Sequence, residues 1–562
     1  MTVTSSVSFC RVLCLFIALS GCARAQPTQM QALGAEYYRQ FTKAQDLAGR
    51  NDLAQAAAVY EQLTRAYPDD VEVWIALGDA RAGSKQYRAG AEAFEQAVAR
   101  GGEYDSFVAA RIARLYAQAG EKNLSLAWIE KALALPLENR LQIADDDAFA
   151  QWRDDDRFRK LAGLLPKRTL SREEGWNYDL DFFVSEIRRM HYAYHSGPLP
   201  TGFEEDVRGL RKRIPELSDA AMRPEIQRLL ARLGDGHTSL GGAPHHRIPC
   251  IFYEFSDGFF MIDAPDDCRC IGDRVVAVGP TPIRTAVQKI TPFLSVDNAM
   301  GVRLQAPVYL RDPEYLRAAG IASSDSEVAL TLEGRDGSKH TYSAKSTDNP
   351  NPRRKLFPSK LASAGAVPRY LKQVDDDYWL ETLPDGGTVY FQFNQVLNKP
   401  QETIEQFAPR LREALVSPKI RNLIVDVRHN SGGNLTLFSP VLRAIIAFEA
   451  SRDNPGIYVI TGRQTFSAAQ VFVNELDHYT SAIFAGEPAG SKPNFIGESA
   501  PTKLPYSGLT MTISTRYHQT DDQDRRTWIA PKIPVALSSE DYFANRDPVM
   551  DAVLETIRTR PR

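Results

Sequence analysis

Apolar residues in the first quarter of the chain recur at helical spacing in an alanine-rich background, and the pattern repeats with a period of about 34 residues. Trp74, Leu77, Gly78, Phe94 and Ala97 make the best unit. Ala56, Tyr60 and Pro68 stand in matching places one period earlier, and Leu126, Ile129 and Ala132 mark a poorer third. The spacing predicts stacked helix pairs over 30–136, with Gly78 permitting close approach and Trp74 and Phe94 filling the space between units; an ordinary helical bundle is the alternative. A charge-dense connector follows over 137–172, where Asp145 to Asp147 and Asp154 to Asp156 flank Trp152 and read as solvated faces rather than metal ligands. Helical periodicity returns over 173–242, as in Leu180, Phe183 and Ile187 and then Ile226, Leu229, Leu230 and Leu233.

Beyond Gly234-Asp235-Gly236-His237-Thr238 the period changes. Residues 245–346 read as a small, mostly strand-built domain, with Ile251 to Phe255 and Phe259 to Ile262 forming a hairpin around Ser256-Asp257-Gly258. Over 365–562 short apolar runs (Val389 to Phe393, Asn422 to Val427, Ile457 to Ile460, Ala482 to Ala485) alternate with helical segments near 401–415, 436–448 and 467–477. That alternation predicts an α/β layer with a buried sheet, whose functional groups gather at strand ends.

At 562 residues the chain exceeds a single core. A formal charge of -3 argues against a nucleic-acid surface and leaves neutral or peptidic partners. The amino terminus reads as an export signal over 1–25: Arg11, the apolar run Val12 to Leu19, then small residues. Leu19-Ser20-Gly21-Cys22 fits a lipobox with lipidation at Cys22, and Ala23-Arg24-Ala25 fits ordinary signal peptidase; the lipobox reading implies an outer-membrane lipid anchor in a bacterial envelope. Cys250, Cys268 and Cys270 remain in the body, where an oxidising compartment would allow Cys250 to bridge one of the close pair, and the sequence leaves the pairing open.

Three segments carry chemistry. Asp426-Val427-Arg428-His429-Asn430-Ser431-Gly432-Gly433 runs from a buried strand into a turn whose glycines can face their N–H groups outward, as an oxyanion hole or a plain corner. Thr465-Phe466-Ser467-Ala468-Ala469-Gln470 puts a serine at the start of a helix, as a nucleophile or as a cap. Gly486-Glu487-Pro488-Ala489-Gly490-Ser491-Lys492 brings a lysine onto the turn after the next strand.

Together, in this order, the three resemble the tail-specific or C-terminal processing serine peptidases, with their Asp-Leu-Arg-x-Asn-x-Gly-Gly turn, Thr-x-Ser-Ala-Ala/Ser-Glu motif and Gly-Glu-Pro-Thr-Gly turn leading to lysine. Asn545-Arg546-Asp547-Pro548 resembles the family's closing segment. The resemblance implies a layered, ClpP- or crotonase-like α/β peptidase core, no metal and no cofactor. It also implies Ser467 as nucleophile, and Ala468 with Gly432 or Gly433 as oxyanion hole. Gly234 to Thr238 resembles the branch that includes tricorn core proteases and retinoid-binding homologues, which implies His237 as base in place of Lys492; its ordinary pKa suits neutral pH better. Glu487 and Glu498 are candidates for orienting it. Gln470 and Ala489-Gly490-Ser491 depart from the pattern. Ile271 to Gly279 resembles the inserted PDZ-like domain, and the amino-terminal repeats resemble tetratricopeptide repeats, which recruit proteins. An exported peptidase acting on a peptide or protein substrate is the expectation. An inactive binding protein on the same scaffold and a small-molecule esterase or amidase are the alternatives.

Overall fold

The computed structural model describes residues 29–135, 140–241, 246–324, 326–348, 356–361 and 367–560. The export signal and Cys22 lie outside the described residues. The chain divides into two compact units, one of residues 1–104 with 108–125 and one of the remainder.

The first unit is helical, with successive antiparallel neighbours such as Leu53–Ala66, Val71–Gly83 and Tyr87–Ala99. Ala56, Tyr60, Leu77 and Phe94 are buried, as the repeat pattern requires. A Cβ on Gly78 would stand 2.8 Å from the Phe94 ring, so the glycine sets how closely the last two helices pack. Trp74 differs from expectation: it is half-exposed, its indole N–H donating to the Pro68 carbonyl (2.7 Å) and its ring lying under the Arg100 guanidinium, because its polar edge needs an acceptor that the core does not offer. Gly78→Val should cost about 1–3 kcal/mol by overpacking. Hydrogen exchange on the full chain checks it, with faster exchange confined to Val71–Gly83 and Tyr87–Ala99.

In the second unit the acids of the connector do local work: Asp146 and Asp155 cap short helices by accepting from Ala148 and Phe158 N–H, over buried Phe149, Trp152 and Phe158. Helices Arg172–Met190, Phe203–Arg213 and Asp219–Ala231 follow, the first opened by a Ser171/Glu174 capping box.

The next region holds strands Ile251–Phe255, Gly258–Asp263, Arg274–Val278, Glu327–Glu333 and Lys339–Lys345 in one antiparallel sheet. The hairpin falls where the sequence predicts. The expectation of a mostly strand-built region is corrected between residues 283 and 318, which form helices Ile283–Ile290, Ala299–Tyr309 and Pro313–Ala318. Ile283, Ala286, Val287 and Ile290 stand at helical spacing and pack on the sheet's core. The cysteine pairing that the sequence leaves open is Cys268 with Cys270, and Cys250 is a buried free thiol.

The carboxyl-terminal sheet runs in the order Tyr378–Thr382, Thr388–Phe393, Asn422–Asp426, Gly456–Thr461, Ile483–Gly486, Ile533–Pro534, parallel except for the first pair. Val389, Phe391, Leu423, Val425, Ile457 and Val459 share a core with helices Ile404–Val416, Ser439–Ala450 and Ala468–Tyr479. The intervening Tyr390, Ile424, Tyr458 and Ile460 pack on the final helix, Pro548–Thr559. Burial on both faces is why these strands read as unbroken apolar runs. A separate three-stranded sheet joins Ser239–Gly241, Thr510–His518 and Phe495–Lys503.

Candidate active site

Parallel register carries the three motif segments to one end of the sheet: Asp426 lies beside Ile460, and Thr461 beside Gly486, so each chain leaves its strand at the same edge. The first turn is held by a buried ionic network. Arg428 donates to Asp426 (3.0 Å) and to both carboxylate oxygens of Asp547 (3.0 and 3.1 Å), and the Tyr390 hydroxyl donates to Asp426 (2.8 Å). This accounts for Asp547 in the closing segment: it is the distant partner of the first turn's arginine.

Asn430 then organises the turn. Its amide donates to the Phe393 carbonyl, its carbonyl accepts from Phe466 N–H, and its Oδ1 accepts from Gly432 N–H (2.9 Å). Gly432 has φ 106°, and a Cβ there would meet Ser467 Cβ at 2.7 Å. Gly433 has φ 133°, and a Cβ there would meet the Val396 carbonyl at 2.3 Å. Both glycines are therefore required, by conformation and by space. Of the two N–H groups only that of Gly433 lacks an acceptor among the described residues.

Ser467 stands at φ 56°, ψ −125°, a conformation that L residues avoid, immediately before helix Ala468–Tyr479. Its side chain does not cap the helix, and the Ala468 N–H has no acceptor among the described residues. Thr465 fastens the approach to it, donating through Oγ1 to the Val427 carbonyl (2.9 Å).

His237 lies between aromatic rings, 4.3 Å from Phe466 and 5.3 Å from Phe495 by centroid. No side chain among the described residues hydrogen-bonds either ring nitrogen, none joins it to Ser467, and the Ile496 backbone beside the ring favours its charged form. Burial presses its pKa down to about 4; the Asp235 carboxylate pulls the other way and His518 adds to the depression. The motif around it is explained by Asp235, which accepts from the N–H groups of His237 (2.9 Å) and Thr238 (2.7 Å), from Ser514 Oγ–H (2.8 Å) and from the ring of His191 (2.9 Å). Gly236 lies so near Phe466 that a Cβ would stand 2.9 Å from its ring.

The two glutamates considered as orienting groups are engaged elsewhere. Glu487 takes a bidentate contact from Arg463 (2.8 and 2.6 Å) and one from Arg303 (3.1 Å). Burial works against its charge, but the Arg463 guanidinium outweighs that and holds the carboxyl below its ordinary range. Glu498 is largely exposed, with its carboxylate 3.9 Å from His518. Lys492 is half-buried on the turn after the next strand, near Asp297, with no ion pair or hydrogen bond among the described residues. No three His, Cys, Asp or Glu side chains among the described residues converge as metal ligands.

Asp297, which the sequence pattern does not single out, joins this cluster together with Ser491, one of the departures from the motif. Asp297 is buried, accepting from Gly236 N–H (2.9 Å) and Ser491 Oγ–H (3.0 Å), and Ser491 in turn accepts from Ser467 N–H at 3.4 Å. Asp297 precedes Asn298, the cap of helix Ala299–Tyr309, and reads in sequence as part of an ordinary helix start.

The tetratricopeptide repeat family matches residues 39–80. No curated protein matches the sequence. Among solved structures, a serine-to-alanine mutant of CPAF aligns over 69% of this chain and 99% of its own, at 11% identity and a TM-score of 0.51. Mature CPAF aligns over 69% and 96% at 12% identity with a TM-score of 0.48, and the photosystem II D1 C-terminal processing protease over 66% and 94% at 14% with 0.33. The first of these likenesses shows a shared fold over that share of the chain.

Proposed function

We propose that this chain, on the fold it shares with CPAF, is a serine peptidase in which Ser467 attacks a peptide carbonyl and His237 accepts its proton. The N–H groups of Gly433 and Ala468 receive the oxyanion in this reading. The observation that carries it is Ser467 itself: a hydroxyl that caps no helix, on a strained backbone, near the Gly433 and Ala468 N–H groups that have no acceptor among the described residues. Strain of this kind costs about 1–3 kcal/mol and persists where surrounding structure over-determines it, typically at reacting groups. Gly432 contributes space rather than a hydrogen bond, since its N–H is already given to Asn430.

His237 is neutral at pH 7, and no side chain among the described residues occupies its ring nitrogens, as a proton acceptor requires. The base-to-serine hydrogen bond is one that tightens when substrate closes the site. The PDZ-like reading of residues 245–346, the recruiting role of the repeats, and export with lipidation at Cys22 belong to the same proposal. They describe an envelope peptidase that meets a peptide or protein substrate.

Labelling with a fluorophosphonate probe tests the nucleophile. Wild type should label and Ser467→Ala should not. A second reading, a binding protein on the same scaffold, is favoured by two observations: among the described residues no carboxylate hydrogen-bonds His237, and no hydrogen bond joins it to Ser467. A folded wild type that stays unlabelled would decide for that reading.

A further inference from the structure

The strained serine and the histidine turn come from parts of the chain more than two hundred residues apart, and what registers them is neither residue of the proposed pair. Gly236, next to His237, donates its N–H to one oxygen of Asp297; Ser491 donates its hydroxyl to the other; Ser467 donates its N–H to Ser491. We propose that Asp297, acting through Ser491, is a positioning residue that holds the Ser467 backbone in its reactive conformation and in register with the His237 turn. This rests on the serine-hydrolase reading above.

The chemistry of the chain of bonds sets its direction. A carboxylate only accepts, so a charged Asp297 obliges Ser491 to donate to it and leaves the Ser491 oxygen free to accept from Ser467. Drawing the Ser467 N–H toward Ser491 supports the φ of 56° that an unassisted serine would leave. Protonated, or replaced by an amide, the group at 297 can itself donate, and Ser491 is no longer obliged to face Ser467.

The carboxylate is held at a cost. Its neighbours are the Gly236 N–H, the Ser491 hydroxyl, the Asp235 carboxylate and the Lys492 ammonium; burial is the largest influence and raises its pKa to about 6, with Asp235 adding and the hydrogen bonds and Lys492 subtracting. A carboxyl whose pKa is raised on folding contributes stability that is fully present below its unfolded value and lost as pH rises through the folded one. At pH 8 the charged group therefore destabilises the fold. Residues kept against stability are typically functional.

The test compares Asp297→Asn and Ser491→Ala with wild type by fluorophosphonate labelling rate and by melting temperature. At pH 8 Asp297→Asn should melt higher than wild type yet label at least about 10-fold more slowly, the size of one misplaced contact at a reacting group. The Asp297→Asn/Ser491→Ala double variant should be no slower than the slower single one, as expected of residues acting in series. The wild-type rate should fall toward that of Asp297→Asn as pH drops through about 6, with no such limb in the variant. Labelling of Asp297→Asn as fast as wild type, or a variant that melts lower and labels slowly only in proportion, overturns the positioning role alone. A wild type that does not label overturns the serine-hydrolase reading and this one with it.

Discussion

Replacing His237 by alanine should slow the labelling of Ser467 by about 10²–10⁴-fold, the range a positioned general base contributes, while Lys492→Ala changes it by only a few-fold. The imidazole is already neutral at working pH, because burial between Phe466 and Phe495 disfavours its charged form. Lys492 is half-buried near Asp297 and makes no hydrogen bond to Ser467 among the described residues. Probe kinetics at pH 7 to 8 on the three proteins check this. Equal rates for wild type and His237→Ala, with Lys492→Ala inert, would reverse the assignment. The stacked rings predict one further detail: His237→Asn keeps the turn, through Asp235 and the backbone N–H groups, and loses only the base.

The largest effect on stability should come from Arg463→Ala, at about 3–5 kcal/mol, the typical cost of removing one partner from a buried ion pair. Arg463 is almost wholly buried, donates twice to Glu487 and also reaches the Glu254 carbonyl (2.8 Å). Its loss leaves the Glu487 carboxylate in a low-dielectric site with Arg303 alone. Arg463→Met with Glu487→Gln should recover much of that cost, since the double change leaves no charge stranded. Glu487 is held below its ordinary range, so its contribution is present at neutral pH and lost as pH falls into the acid range. Denaturant unfolding of the single and double variants at pH 7 and pH 4 measures both claims: the gap between wild type and Arg463→Ala should shrink at the lower pH.

The buried sheet was legible in the sequence because strands covered on both faces have no polar alternation to hide them, and Val389 to Phe393 or Ile457 to Ile460 cannot be mistaken for exposed edges. Helices between them were legible for the same reason at a different period. What escaped was structure made by long-range contacts. The hairpin Phe495–Lys503 with Thr510–His518 carries Gly, Ser and Pro and has no clear apolar alternation, yet it supplies Phe495 against His237 and Ser514 against Asp235. The helices between residues 283 and 318 were obscured by prolines that the structure tolerates inside helix Ala299–Tyr309 and at the start of Pro313–Ala318.

At the site, glycines and the serine stood out because their neighbours in sequence are also their neighbours in space. Asp297 did not, because it acquires meaning only when two distant turns are brought within hydrogen-bond reach. Glu487 shows the converse. Its place in a motif suggested a role toward His237, but two arginines claim it, and charge pairing over a few ångströms outweighs proximity along the chain.

The central claim, hydrolysis of peptide bonds at Ser467, is tested most directly by incubating the purified chain with a mixture of unstructured peptides and reading the products by mass spectrometry, beside Ser467→Ala. The account predicts new peptide termini with wild type and none with the variant. Intact peptides with a folded, probe-reactive wild type would contradict it and leave Ser467 an activated serine that does not cleave peptide bonds.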